Sequence, residues 1–160
     1  MAGIFEIHCD PRWLKEFRTE AKKRFPREVY GIFFGEFVEN RIMEVEKLVI
    51  CPPNREKSSQ SSVQIDPDWI TEVVRGARLQ GLQPIGDIHS HCSHIGNENY
   101  AEPVPSKGDF ESLSRFQQLL SNSYSFAAIL ALNRGAVKLR SEVKFWPIVE
   151  PLEVIWRKDD

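Results

Sequence analysis

The sequence predicts a single mixed α/β domain of α+β-like character, and three observations carry that expectation. Short stretches alternate apolar with polar residues, two pairs of such stretches are joined by brief turns, and helical patterns with aspartate-proline or serine starts fall between them. The 160 residues show no repeat, no linker and no second composition regime, so residues 1–160 are expected to form one unit. A chain of this size buries roughly two thirds of its unfolded surface and needs no disulfide or metal in order to fold.

Taken in order, Gly3 to His8 alternates Phe5 and Ile7 with Glu6 and His8, which predicts a half-buried strand. Asp10-Pro11 supplies an N-cap and a first-turn proline. Trp13, Leu14, Phe17, Ala21 and Phe25 follow at helical spacing, and Pro26 ends that helix. Val29 to Val38 and Ile42 to Ile50 are rich in Val, Ile and Phe around Glu39-Asn40, a hairpin pattern. Cys51 to Ser62, with Pro52-Pro53, predicts a loop, and Val63 to Ile65 a short strand. Asp66-Pro67 repeats the capping signal and opens a second helix through Ile70, Val73, Val74 and Ala77 to Gly81.

Gln83 to His89 predicts a further strand, followed by a loop from about His91 to Pro105. A third helix is expected from Ser106, with Phe110, Leu113 and Leu120 on one face. Tyr124 to Leu132, a turn at Asn133-Arg134-Gly135 and Val137 to Trp146 predict a second hairpin. Ile148, Leu152, Val154 and Ile155 then pack on the body or on a partner. The order is β-α-ββ-(β)-α-β-α-ββ, a mixed β-sheet covered by about three helices.

Composition narrows the function classes. With 41 % hydrophobic and 28 % charged residues, disorder, collagen and a disulfide scaffold are excluded. The 21 basic residues against 23 acidic ones leave a net charge of −2, which makes nucleic acid a poor partner. No apolar run approaches the ~20 residues of a spanning helix, so no membrane is expected, and Met1 to Asp10 has no secretory pattern. Cys9, Cys51 and Cys92 lie far apart without a C-x-x-C pair, which predicts reduced thiols and a cytoplasmic protein.

The histidines are unevenly placed: of four, His89, His91 and His94 fall within six residues. At the end of a strand, residues two apart share a face, so His89 and His91 present two imidazoles to one metal while Ser90 points away. Pro105-Ser106-Lys107-Gly108-Asp109 precedes a helical run and has the form of a capping box. A carboxylate at a helix start is held ionised, and Asp109 there is a candidate third ligand of a site with an open position, the catalytic zinc pattern. Glu28 opens an otherwise apolar strand, and a carboxylate so placed either edges into solvent or works near a charge. It is the candidate general base for water at such a site.

Glu28 in E-V-Y-G-I-F-F-G, H-S-H at 89–91 and P-S-x-x-D at 105–109 together resemble the JAMM signature of the MPN-plus, or JAB-domain, metalloproteases. The resemblance runs from about Phe5 to Trp146 and is closest to compact, stand-alone bacterial members. It implies a cytidine-deaminase-like fold, one zinc ion per chain, and hydrolysis of a peptide or isopeptide bond after the C-terminus of a ubiquitin-like protein or another conjugated protein. The reaction would be deconjugation or precursor processing, and some relatives belong to antiphage operons. By this resemblance His89, His91 and Asp109 bind zinc, Glu28 activates water, and Ser106 hydrogen-bonds the oxyanion.

Two departures stand out. Fourteen residues separate His91 from Ser106, about twice the family's habitual gap, and Cys92 replaces the proline that commonly follows the second histidine. A longer surface loop costs little free energy, so the site survives while its geometry and substrate choice are open. Cys92 and His94 read first as a free thiol and a solvent-exposed histidine beside the site; either in the open zinc position would make the enzyme latent, and His94 in place of His91 as ligand is a further alternative. Readings from other classes are a non-catalytic MPN-type scaffold or binding module, a non-haem iron site with two histidines and a carboxylate, and a RadC-like relative associated with DNA.

Overall fold

The computed structural model describes residues 6–39, 42–58, 63–93, 101–106, 109, 126–135, 138–146 and 153–156. Nine strands and two helices are present among them: β1 (Glu6–Cys9), α1 (Pro11–Arg24), β2 (Tyr30–Glu39), β3 (Ile42–Ile50), β4 (Glu56–Ser58), β5 (Val63–Ile65), α2 (Pro67–Leu79), β6 (Gln83–Cys92), β7 (Phe126–Arg134), β8 (Leu139–Trp146) and β9 (Glu153–Trp156). Seven strands form one mixed sheet in the order β8-β7-β6-β2-β3-β1-β9, and β4 with β5 makes a separate antiparallel pair. The mixed α/β expectation holds. The expected third helix lies outside the described residues except for Asp109, which is helical.

Both helices start as their sequences dictate. Asp10 accepts a hydrogen bond from the Arg12 N–H at 2.9 Å, and Asp66 accepts from Asp68 N–H at 2.9 Å, each followed by a proline that has no N–H to satisfy. α2 ends when Gly81 takes φ +80°, letting Leu82 N–H reach Ala77 O and Gly81 N–H reach Arg78 O, both at 3.0 Å.

The helices cover opposite faces of the sheet. Leu14, Phe17 and Ala21 of α1 pack with Phe33, Ile88 and Leu130, whereas Trp69, Val74 and Ala77 of α2 pack with Tyr30, Ile32 and Phe34. Neighbouring residues of β2 therefore divide between the two cores, as the two-residue period of a strand requires. Among the described residues, no helix is long and apolar enough to cross a membrane.

Several boundaries differ from the expectation. β6 continues through Cys92 because its parallel pairing with β7 runs unbroken to Cys92 and Leu132, so His91 lies in the strand and not at a loop start. The expected loop 51–62 contains a 3-10 turn and β4, which pairs with β5. β7 continues through Arg134, which places Asn133 in the strand and not in the turn. The C-terminal apolar residues include β9, whose Val154 pairs in parallel with Ile7 of β1 at the sheet edge.

Candidate active site

β6 presents its side chains alternately to the two cores. Ile88 and Cys92 belong to the α1 side, so His89 and His91 face the α2 side near the strand's C-terminal end. Their Nε2 atoms stand 2.9 Å apart. Asp109 completes the group, with Oδ1 3.2 Å from His89 Nε2 and Oδ2 3.3 Å from His91 Nε2. One donor atom from each residue lies within 4.8 Å of the others. A tetrahedral ion with bonds of about 2.0–2.1 Å separates its ligands by about 3.3 Å. The residues therefore fit a zinc ion with little rearrangement.

Local contacts aim two of the three donors. His91 Nδ1 is 3.0 Å from Glu102 O, and a carbonyl only accepts, so Nδ1 carries the proton and Nε2 offers its lone pair toward the group. Ser106 N–H donates to Asp109 Oδ2 at 2.8 Å while Asp109 N–H donates to Ser106 Oγ at 3.2 Å. That reciprocal pair is the helix-start box expected from S-x-x-D. It leaves the Ser106 hydroxyl proton free to point outward.

The electrostatics is that of a coupled cluster. Burial opposes the charge on Asp109, but the close imidazoles of His89 and His91 outweigh it and hold the carboxyl well below the usual range. Burial likewise opposes a charged His89, and its contact with Asp109 raises its pKa nonetheless.

Glu28 lies just before β2 and is only 6 % exposed. Burial pushes its carboxyl up to about 7, with the charges of His89 and His91 acting against the rise and Asp109 adding to it. Those influences place Glu28 within electrostatic reach of the cluster. A carboxyl that titrates near neutrality is suited to both taking and giving a proton.

Ser90, which no sequence argument singled out beyond its orientation, ties this carboxylate to the histidine strand. Val29 N–H donates to Ser90 Oγ at 2.8 Å, and Ser90 N–H donates to Val29 O at 3.0 Å. At Val29 the partner of the N–H is a hydroxyl and not a ladder carbonyl, which is why β2 begins at Tyr30 and Glu28 precedes the strand. Removing the hydroxyl in Ser90→Ala strands the Val29 N–H in a fully buried place. The variant is expected to lose about 1–3 kcal/mol of stability in urea unfolding. A loss under about 0.5 kcal/mol, the range of neutral surface changes, would discount the tie.

Cys92 plays no part in the cluster. Its thiol faces the α1-side core, 3.7 Å from Arg27 O, and burial pushes it up to about 11. Cys92 is a free thiol, and the alternative in which it blocks the metal position fails because strand alternation turns it away from the histidines. His94 lies outside the described residues.

A family model described as prokaryotic homologs of the JAB domain matches residues 10–131, most of the chain and the whole histidine strand. The chain belongs to the prokaryotic JAB-domain family. This JAB-domain chain is 27 % identical over 89 residues to a desampylase of Pyrococcus furiosus, a match covering 56 % of the chain and 54 % of that relative. The chain thus spans about half the length of that curated relative. Its fold is shared with a protein of Desulfitobacterium hafniense solved in solution, at a TM-score of 0.61 and 19 % identity over 96 % of this chain and 94 % of the other.

Two polar side chains of this JAB domain escaped the sequence reading altogether. Asn133 and Trp146, both buried, hydrogen-bond the backbone of residues 101–103. An asparagine closing the apolar run F-A-A-I-L-A-L-N was the available signal, since a buried amide needs partners.

Proposed function

We propose that this chain is a zinc-dependent isopeptidase or peptidase that cuts after the C-terminus of a ubiquitin-like protein. His89, His91 and Asp109 would hold the metal, Glu28 would act as general base and acid, and Ser106 would donate to the oxyanion. The observation that carries the reading is the convergence of three donor atoms at an ion's spacing, with a buried carboxylate within electrostatic reach. Family membership supports it, and the desampylase relative supports a conjugate of a small ubiquitin-like modifier as the substrate class. The cysteines, free and buried, support work in a reducing compartment such as the cytoplasm.

The chemistry that zinc supplies when bound is Lewis acidity, which brings water toward a pKa of ~7 and polarises the scissile carbonyl. Glu28 takes a proton from water on the way to the tetrahedral state and returns it to the departing amine nitrogen. Burial strengthens its hold on a proton, which suits it to keep the water's proton until the amine leaves. Ser106, whose Oγ accepts from the Asp109 N–H, donates its hydroxyl proton to the developing oxyanion. Ser106→Ala is expected to keep its zinc and to slow cleavage by roughly 10²–10³-fold. Wild-type kcat in that variant would remove Ser106 from the reaction.

The test is cleavage of a linear fusion between a ubiquitin-like protein ending in diglycine and a reporter, with the cut located by mass spectrometry. Cleavage after the terminal glycine, abolished by a zinc chelator and restored by added zinc, is the expected result. Cleavage that survives chelation, or none by zinc-loaded protein on any such fusion, would refute the assignment.

A further inference from the structure

The connection from His91 to Ser106 is long, yet it delivers Asp109 to within 3.2–3.3 Å of two histidine nitrogens. A long loop closes at small entropic cost, but closure alone does not place a carboxylate to a few tenths of an ångström. Something must hold the last part of the loop.

Three side chains of adjacent strands do so. Asn133 of β7 forms a two-bond clasp on one residue: its Oδ1 accepts from Ala101 N–H at 2.8 Å and its Nδ2 donates to Ala101 O at 2.8 Å. On β6, His91 Nδ1–H reaches Glu102 O at 3.0 Å. From β8, Trp146 Nε1–H donates to Pro103 O at 2.7 Å in a buried contact. Asn133 pairs with Arg140 and Ala127 with Trp146 across the β7–β8 ladder. The Asn133 and Trp146 anchors therefore sit near opposite ends of β7. Residues 101–103 are therefore held from both ends of the strand, and only Val104 and Pro105 stand between the last anchor and Ser106.

We propose that Asn133, assisted by Trp146, is a positioning residue for the metal centre, setting the reach of Asp109 by pinning residues 101–103 against the sheet. This rests on the metal-site reading above. Asn133 is not among the converging donors. It acts through the backbone, as outer-shell partners of metal ligands do, at a typical cost of roughly 10–100-fold in metal affinity when removed. The clasp needs no ion to form.

Asn133→Asp isolates the effect. The carboxylate has the amide's shape, but where Nδ2–H met Ala101 O it sets one oxygen against another. Zinc affinity is measured by competition with a chromophoric chelator, and exchange of the Ala101 amide proton is followed by NMR in the metal-free protein. The expected result is a protected Ala101 amide in the wild type, protection lost in Asn133→Asp, and a zinc Kd raised roughly 10–100-fold while the melting transition stays cooperative. Trp146→Phe, which keeps an aromatic ring but removes the donor, is expected to raise the Kd in the same direction. It decides the matter if Asn133→Asp does not fold. An unprotected Ala101 in the wild type, or a Kd within twofold of wild type in a folded variant, overturns the proposal. A wild type that takes up no zinc while Ala101 is protected overturns the metal-site reading, and with it the role assigned to an intact clasp.

Discussion

Glutamine in place of Glu28 is expected to slow cleavage by roughly 10²–10⁴-fold while zinc stays at about one per chain. The two halves of that expectation come from different observations. Glu28 is not among the converging donors, so the metal has no need of it. Glutamine has the same shape but cannot take a proton from water, so the step that depends on a base is lost. Stability should move the other way. Burial raises the folded-state pKa from 4.5 to about 7, so the wild type loses stability as pH rises from the unfolded value through the folded one. The neutral amide has no such slope, and metal-free Glu28→Gln is expected to be the more stable protein above pH 7 in urea titrations. A variant with bound zinc and wild-type turnover on a verified fusion would show that the base lies elsewhere.

Asp109→Ala is expected to empty the site. Two histidines remain, and two donors do not hold a zinc ion that normally takes three protein ligands in a catalytic site. The affinity loss should exceed the roughly 10–100-fold typical of losing an outer-shell partner. The substitution also removes the bond from Ser106 N–H to the carboxylate, at a cost of about 0.5–2 kcal/mol, while the bond from the residue-109 N–H to Ser106 Oγ remains. The variant should therefore stay folded, and metal loss would not be a by-product of unfolding. Plasma mass spectrometry beside a thermal melt reads both quantities. Zinc retained at wild-type affinity in a folded Asp109→Ala protein would transfer the carboxylate's role to another group.

Much of this was legible in the order of residues because the signals were local. Asp10-Pro11 and Asp66-Pro67 mark helix starts through bonds spanning two residues, and H-S-H and S-x-x-D place their side chains by the periods of a strand and a helix turn. The features that escaped depend on partners distant in sequence. β4 and β9 have three and four residues, too few for a period to show, and β9 is a strand only because β1 lies beside it. β6 outran its expected end because β7 continued to pair with it. Cys92 looked like a neighbour of the histidines in sequence and proved to be behind them, since one step along a strand reverses a side chain. Ser90 and Asn133 make their bonds to backbone 61 and 32 residues away, so their neighbours in the chain could not name those partners.

The pairing of β9 with β1 bears on how this sheet is assembled in time. β1 is the earliest of the described strands to be synthesised and β9 the latest, yet Glu6 to Cys9 finds its two ladder partners in β3 and β9. On a ribosome, one side of β1 must wait until residues 153–156 have emerged, since pairings between remote segments form slowly. Until then, its unmatched amides and carbonyls are an open template for other chains. A nascent chain stalled before residue 153 would carry the complete histidine strand together with that exposed edge, and self-association would compete with folding for it.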